Sequence, residues 1–226
     1  DVFVVALIAM LVCAAFGTVT GFFIAYLNVP PFIATLAMME IVYGIGLIVT
    51  NATPLGGYVE QYTNVSNGKF LGINYLIWIA IIVAAITWFI FNMTRHGKYM
   101  YAIGGNPQAA EVAGVPVKAT LILIYMKAAA MYGLAGFMLG AKAGGASVQT
   151  GYGYEMEAIA ACTIGGVSVT GGRGKVSSAI IGVAVFELLK VALQYLGMNA
   201  NAQYIAIGVV IFIAISLDIR KYIARK

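Results

Sequence analysis

The sequence predicts an all-α fold, a polytopic membrane helix bundle, and three observations lead there. Apolar residues fill 62% of the 226 positions and charged residues only 9%, against about 45–50% and about 25% in a soluble domain. The mean hydropathy is +0.94, and so few charges cannot clothe a water-facing surface. The apolar residues also gather in runs near the length needed to cross a hydrocarbon core about 30 Å thick. Backbone in lipid must satisfy its own hydrogen bonds, which selects helix for each run.

In chain order the runs are Val2–Leu27, Phe32–Thr50, Ile73–Met93, Ala119–Ala141, Met156–Val169, Val176–Leu196 and Tyr204–Leu217. They give about seven spans or re-entrant helices, those at Met156 and Tyr204 being short for a perpendicular crossing. One transmembrane domain over 1–226, with the loop 94–118 inside it, is the simplest organisation. Val2–Leu27 lacks the basic n-region of a signal peptide and has the length of a span. Because Asp1 leads straight into that run, the chain is expected to be part of something longer.

The net charge of +5 does not call for nucleic acid. Its basic residues cluster at Arg95/Lys98, Arg173/Lys175 and Arg220/Lys221/Arg225/Lys226, which is the placement of a positive-inside topology. Thr94–Lys118, Gly171–Lys175 and the C-terminus are therefore expected to be cytoplasmic. Asn51–Gly72, with one Lys and one Glu, is expected on the other side. Cys13 and Cys162 lie in apolar runs and behave as small hydrophobes. No metal-ligand spacing or catalytic set is present, and His96 reads as a solvated residue at the membrane edge.

The loop after Met93 holds the most informative stretch, Gly104-Gly-Asn-Pro-Gln-Ala-Ala-Glu-Val-Ala-Gly114. Asn106 suits an N-cap and Pro107 the first helical position. Gly114 supplies a left-handed stop before Val115-Pro116. A helix of about two turns, roughly 10 Å long, follows, with Ala109, Ala110 and Ala113 leaving one side almost flat. Local physics leaves open whether it seats in another protein or merely connects two spans.

Tyr101–Val117, Gly153–Lys175 and Ala25–Leu36 resemble, in order, three blocks of the permeases of bacterial monosaccharide ABC importers. Ile24–Phe32 and the ending Gln203-Tyr-Ile…Leu217-Asp…Lys221-Tyr look most like the galactose/methyl-galactoside members, with ribose and other pentose permeases as the alternative. The resemblance implies a multi-pass permease subunit of the bacterial inner membrane, a homodimer, with a cytoplasmic C-terminus. Its implied partners are an ABC ATPase with two nucleotide-binding halves, a periplasmic sugar-binding protein and membrane lipid. Further helices ahead of Asp1 are implied as well. Gly104, Gly105, Asn106, Pro107, Ala109, Ala110, Glu111, Ala113 and Gly114 become the segment coupled to the ATPase.

No cofactor is expected on this chain; ATP and magnesium belong to the partner. Gly171-Gly-Arg-Gly-Lys175 fails as a phosphate loop, because Val169 stands where the first glycine is needed and Val176 where a hydroxyl must follow the lysine. The chain is thus read as a transporter subunit with no catalytic residue.

Ionisable residues within membrane runs are functional candidates. Glu187 and Lys190, three apart on one helix face, are expected to neutralise each other. Glu40 and Lys127 both lie roughly 12–14 Å from the cytoplasmic edge and depart from the family's uncharged residues. An ion pair between them is one expectation; partners elsewhere or a water-filled pathway are the others. Tyr152, Tyr154, Glu155 and Glu157 either line the mouth of a sugar pathway or serve a helix N-terminus, where acidic side chains are favourable. A proton-coupled transporter using Glu40 and Lys127 is the rival that would leave the capped helix without a purpose.

Overall fold

The computed structural model describes residues 1–223, with the side chains at 200, 217, 218 and 221–223 left aside. Of the residues singled out above, Arg225 and Lys226 lie outside the described residues, as do the side chains of Leu217, Asp218, Lys221 and Tyr222. Each apolar run is helical over most of its length, although the run from Met156 is helical only as far as Ile164 and that from Ile73 begins with a strand: α1 (Val2–Leu27), α2 (Pro31–Thr50), α4 (Tyr75–Met93), α7 (Val117–Ala143), α8 (Tyr154–Ile164), α9 (Val176–Tyr195) and α10 (Ala200–Ile223). Five of them, α1, α2, α4, α7 and α9, are long and apolar enough to cross a membrane. Shorter elements lie between: α3 (Glu60–Asn67), α5 (Arg95–Gly105), α6 (Pro107–Val112) and four two-residue strands, β1 (Leu55–Gly56), β2 (Lys69–Phe70), β3 (Ile73–Asn74) and β4 (Gly145–Ala146).

Two compact units arise, one from Asp1–Val83 with Gly114–Tyr152, the other from Ala84–Ala113 with the chain from Gly153 onward. In the first, α1 and α7 run antiparallel along a seam of small residues. A Cβ at Gly17 would collide with the carbonyl of Tyr125; at Gly21 it would lie 2.8 Å from Ile122 Cα, and at Gly133 2.7 Å from Ala9 O. Such close backbones gain van der Waals contact, the main attraction left to helices whose apolar surfaces lipid already solvates. The hydroxyls of Thr18 and Thr20 donate to the carbonyls of Ala14 and Phe16, so neither is left unsatisfied in lipid. By contrast, α2 and α4 bury no residue. Asn28 ends α1 in the left-handed conformation at φ 53° and Pro31 opens α2, so the tight turn between them is written in Asn-Val-Pro-Pro.

The long loop after α2 is structured. β1 pairs with β4, Leu55 opposite Ala146, while β2 and β3 form a hairpin. The helix α3 lies against α7, where Tyr62 donates its hydroxyl to the Phe137 carbonyl at 2.7 Å and sets its ring edge-on to Phe137. Burial and neighbouring Tyr58 push the Tyr62 phenol pKa up, keeping it a donor.

In the second unit α8 packs against α9 and α10. Ala160, Ala161, Phe186 and Ile207 form its core, flanked by Ile164 and Ile211. Gly182 of α9 lets this happen, since a Cβ there would collide with the Ala161 carbonyl and reach 2.6 Å from Gly165 N. The eleven residues of α8 span only about 16 Å, half a hydrocarbon core.

Candidate functional site

The second unit also holds the capped helix. Thr94 starts α5, its hydroxyl oxygen accepting from Gly97 N at 3.2 Å, and His96 sits half-buried in the first turn. The chain then breaks at Asn106, whose Oδ1 accepts from Ala109 N at 2.9 Å and caps α6, with Pro107 at its first position. Ala113 closes the helix and Gly114 follows at φ 83°. The capping is as the sequence dictates. The helix α5 before it was not foreseen, although Thr94 is a legible N-cap.

The stub has distinct faces. Ala110 is only 4% exposed and so faces inward, whereas Val112 is 90% exposed. Gly105, Asn106, Pro107, Ala109, Glu111, Ala113 and Gly114 are exposed with it, and Gly104 is half-buried. The outward surface of the stub is therefore Pro107, Gln108, Ala109, Glu111, Val112 and Ala113, mostly small, with Gln108 and Glu111 as its long side chains.

Beneath the stub lies the loop after α8. Gly171 and Gly172, at φ 93° and 70°, press their backbone onto Gly104 and Gly105. A Cβ on Gly172 would stand 2.7 Å from Gly105 N, and one on Gly171 2.8 Å from Gly104 O. Tyr101 donates its hydroxyl to the Gly174 carbonyl at 2.8 Å, and its ring meets Phe91 edge-on. The Gly-Gly-Arg-Gly-Lys sequence that fails as a phosphate loop thus has a packing use that only glycine permits.

Of the charges, Lys190 does more than pair with its helix neighbour. Its Nζ lies 3.5 Å from Glu187 Oε1, and closer still, at 2.7 Å, to Glu157 Oε2 of α8. Sequence spacing disclosed Glu187 but not Glu157, which is 33 residues away. Tyr154 and Glu155 beside it are exposed. In the first unit, the Tyr152 ring lies 6.4 Å from that of Tyr43.

The expected Glu40–Lys127 ion pair does not form. Among the described residues the salt bridges are those of Lys190, and both Glu40 and Lys127 are exposed. The reason is rotational: Lys127 lies across α7 from the seam residues Tyr125 and Ala129, each two residues or about 200° away, and α2 buries none of its residues. Matched depth was not matched direction.

Several long apolar helices with exposed faces, joined by short polar elements and a capped stub, define a polytopic helical membrane protein. The match to known proteins is specific. Residues 1–215 match the family described as the permease component of branched-chain amino acid transport systems. The chain belongs to that family, and so is a transport component rather than an enzyme. It is 40% identical over 232 residues to the galactose/methyl galactoside import permease protein of Escherichia coli strain K12, covering 98% of this chain and 69% of that one. The protein of the same description from Haemophilus influenzae is 40% identical over 230 residues, 99% and 68% of the two chains. The ribose import permease protein of Escherichia coli strain K12 is 36% identical over 217 residues, 94% and 68%. No solved structure gives a significant match.

Proposed function

We propose that this chain is the membrane-spanning permease subunit of an ATP-driven monosaccharide importer, with galactose or methyl galactoside as its substrate. The observation that carries the reading is the 40% identity, across 98% of the chain, to a permease named for those sugars. Ribose is the second reading, favoured by the ribose permease at 36%.

In this reading two copies stand in the bacterial inner membrane with their C-termini in the cytoplasm, and a periplasmic protein delivers the sugar. A separate ATPase with two nucleotide-binding halves seats on Gly104, Gly105, Asn106, Pro107, Ala109, Ala110, Glu111, Ala113 and Gly114 of each copy. Ala110 faces inward while Ala109, Glu111 and Ala113, with the newly apparent Val112, face the partner. Closure of the ATPase draws the stubs together and opens the pathway outward; hydrolysis and reopening release the sugar inward. Catalysis contributes nothing here, and ATP and magnesium stay on the partner. A neutral sugar is held by hydrogen bonds and ring stacking, for which Tyr152, Tyr154, Glu155, Glu157, Glu40 and Lys127 are the candidates. The exposed, unpaired state of Glu40 and Lys127 supports a water-lined path for these two over a structural clasp.

The test is uptake of labelled galactose and ribose by proteoliposomes holding the permease, its ATPase and its binding protein. ATP-dependent galactose uptake at least about tenfold faster than ribose uptake is expected. Glu111→Arg with Val112→Arg should abolish co-purification of the ATPase and reduce uptake to background. Uptake driven by a proton gradient without ATP would overturn the reading.

A further inference from the structure

We infer that Tyr101, Gly171 and Gly172 are positioning residues that carry the stub's movement to α8 through packed backbone, by a route separate from the covalent chain through α7. The inference rests on the coupling role proposed for the stub. The covalent continuation of the stub is Gly114 and then α7, yet the compact unit that contains the stub ends at Ala113, and α7 belongs to the other. The left-handed Gly114, at φ 83°, marks that boundary. The stub packs on α5, and the end of α5 meets Gly171 and Gly172 with no side chain between them.

From there the contact leads to α8. Ser168 N donates to the Arg173 carbonyl at 3.1 Å and Gly171 N to the Ser168 carbonyl at 3.2 Å, folding the loop into a compact turn. That turn is held to α5 by the Tyr101 hydroxyl on Gly174. It continues from α8 through Val167, whose N–H donates to the Cys162 carbonyl at 3.0 Å. Contacts between backbones transmit a displacement with little loss, because no rotatable side chain intervenes to absorb it; packed interiors respond by shifting as units. At its other end α8 begins with Tyr154, Glu155 and Glu157, the last clasped by Lys190. The stub is thereby connected to the acidic end of α8 without any step through α7.

The complete complex in proteoliposomes tests this, with Tyr101→Phe and Gly172→Ala set beside the parent. Neither residue lies in the segment that seats the ATPase, so Tyr101→Phe should retain ATPase and its basal hydrolysis; Gly172→Ala, whose Cβ presses on Gly105, is scored on complexes that retain ATPase, and otherwise Tyr101→Phe decides. ATP hydrolysed per galactose transported should rise at least about fivefold in Gly172→Ala and about twofold in Tyr101→Phe. A cysteine at Glu155, in a background with Cys13→Ala and Cys162→Ala, supplies the second readout. ATP should change its labelling rate in the parent, and that change should disappear with Gly172→Ala. Unchanged stoichiometry and an undiminished ATP-dependent change at residue 155 in both variants would overturn the relay while the coupling role stands. If Gly172→Ala does not fold, Tyr101→Phe alone decides. Failure of the parent to bind ATPase would remove the coupling role and the relay together.

Discussion

The seam between α1 and α7 and the cluster of α8 with α9 and α10 use the same device and reach different ends. Both depend on glycines that bring backbones into contact, Gly17, Gly21 and Gly133 in one and Gly165 and Gly182 in the other. The first joins helices of 26 and 27 residues, so its attraction is spread over many turns. The second must hold a helix of 11 residues, which has little length over which to spread anything. It adds an ion pair, a buried Phe186 and the glycine turn on α5. Length alone anchors a long helix in a bilayer, whereas a short one is held by a few separate contacts, each of which can be altered.

The largest expected effect breaks the second region at its tightest point. Gly182→Val should cost about 3 kcal/mol, the upper range for forced overpacking, because the opposing group is backbone and cannot rotate away. Thermal unfolding in detergent measures it, with Gly44→Val as the control. A Cβ at Gly44 meets nothing within 4 Å, and its change should stay within about 0.5 kcal/mol.

Removing the charge that the short helix relies on comes next. Lys190→Met should destabilise by about 2 kcal/mol, between the values for exposed and for buried pairs, since its partly covered side chain is 23% exposed. Glu187→Gln, which leaves the shorter Glu157 contact intact, should cost less than half as much by the same measurement. In the first unit, Tyr62→Phe removes one hydrogen bond to the Phe137 carbonyl and should cost about 1 kcal/mol. The smallest effect is a coupling: Glu40→Gln and Lys127→Met should combine additively, within about 0.5 kcal/mol, as unconnected sites do. A larger coupling would mean that the two charges meet in the assembled membrane protein.

What sequence disclosed and what it hid divide along a physical line. Each apolar run became largely helix, because lipid leaves the backbone no alternative, the run from Met156 stopping at Ile164, and the cap at Asn106 followed from residues three apart. The short elements α3 and α5 were hidden, since polar amphipathic segments lack the composition signal that marked the spans. Contacts between distant positions were hidden as well. Lys190 showed its neighbour Glu187 by spacing, but Glu157 became its closer partner only through the packing of α8 on α9. Glu40 and Lys127 illustrate the converse error, in which depth is computable from residue number but azimuth depends on which face a neighbour covers. At the stub, composition suggested a flat alanine side; Ala110 turned inward and Val112 outward.

The pairing of α1 with α7 also has a consequence in time. Roughly 90 residues separate the end of α1 from the start of α7, and ribosomes add about 5–20 residues per second. The first helix therefore waits on the order of 5–20 s in the bilayer, through the synthesis of two further spans, before its partner exists. Lipid tolerates that delay, because an apolar helix is as well solvated by acyl chains as by leucine. The glycine face of α1 is the part that gains by waiting, and a span made in the interval that fitted Gly17 and Gly21 equally well would capture it. In the folded unit the groups nearest that face, Tyr125, Ala129 and Ile122, all belong to α7.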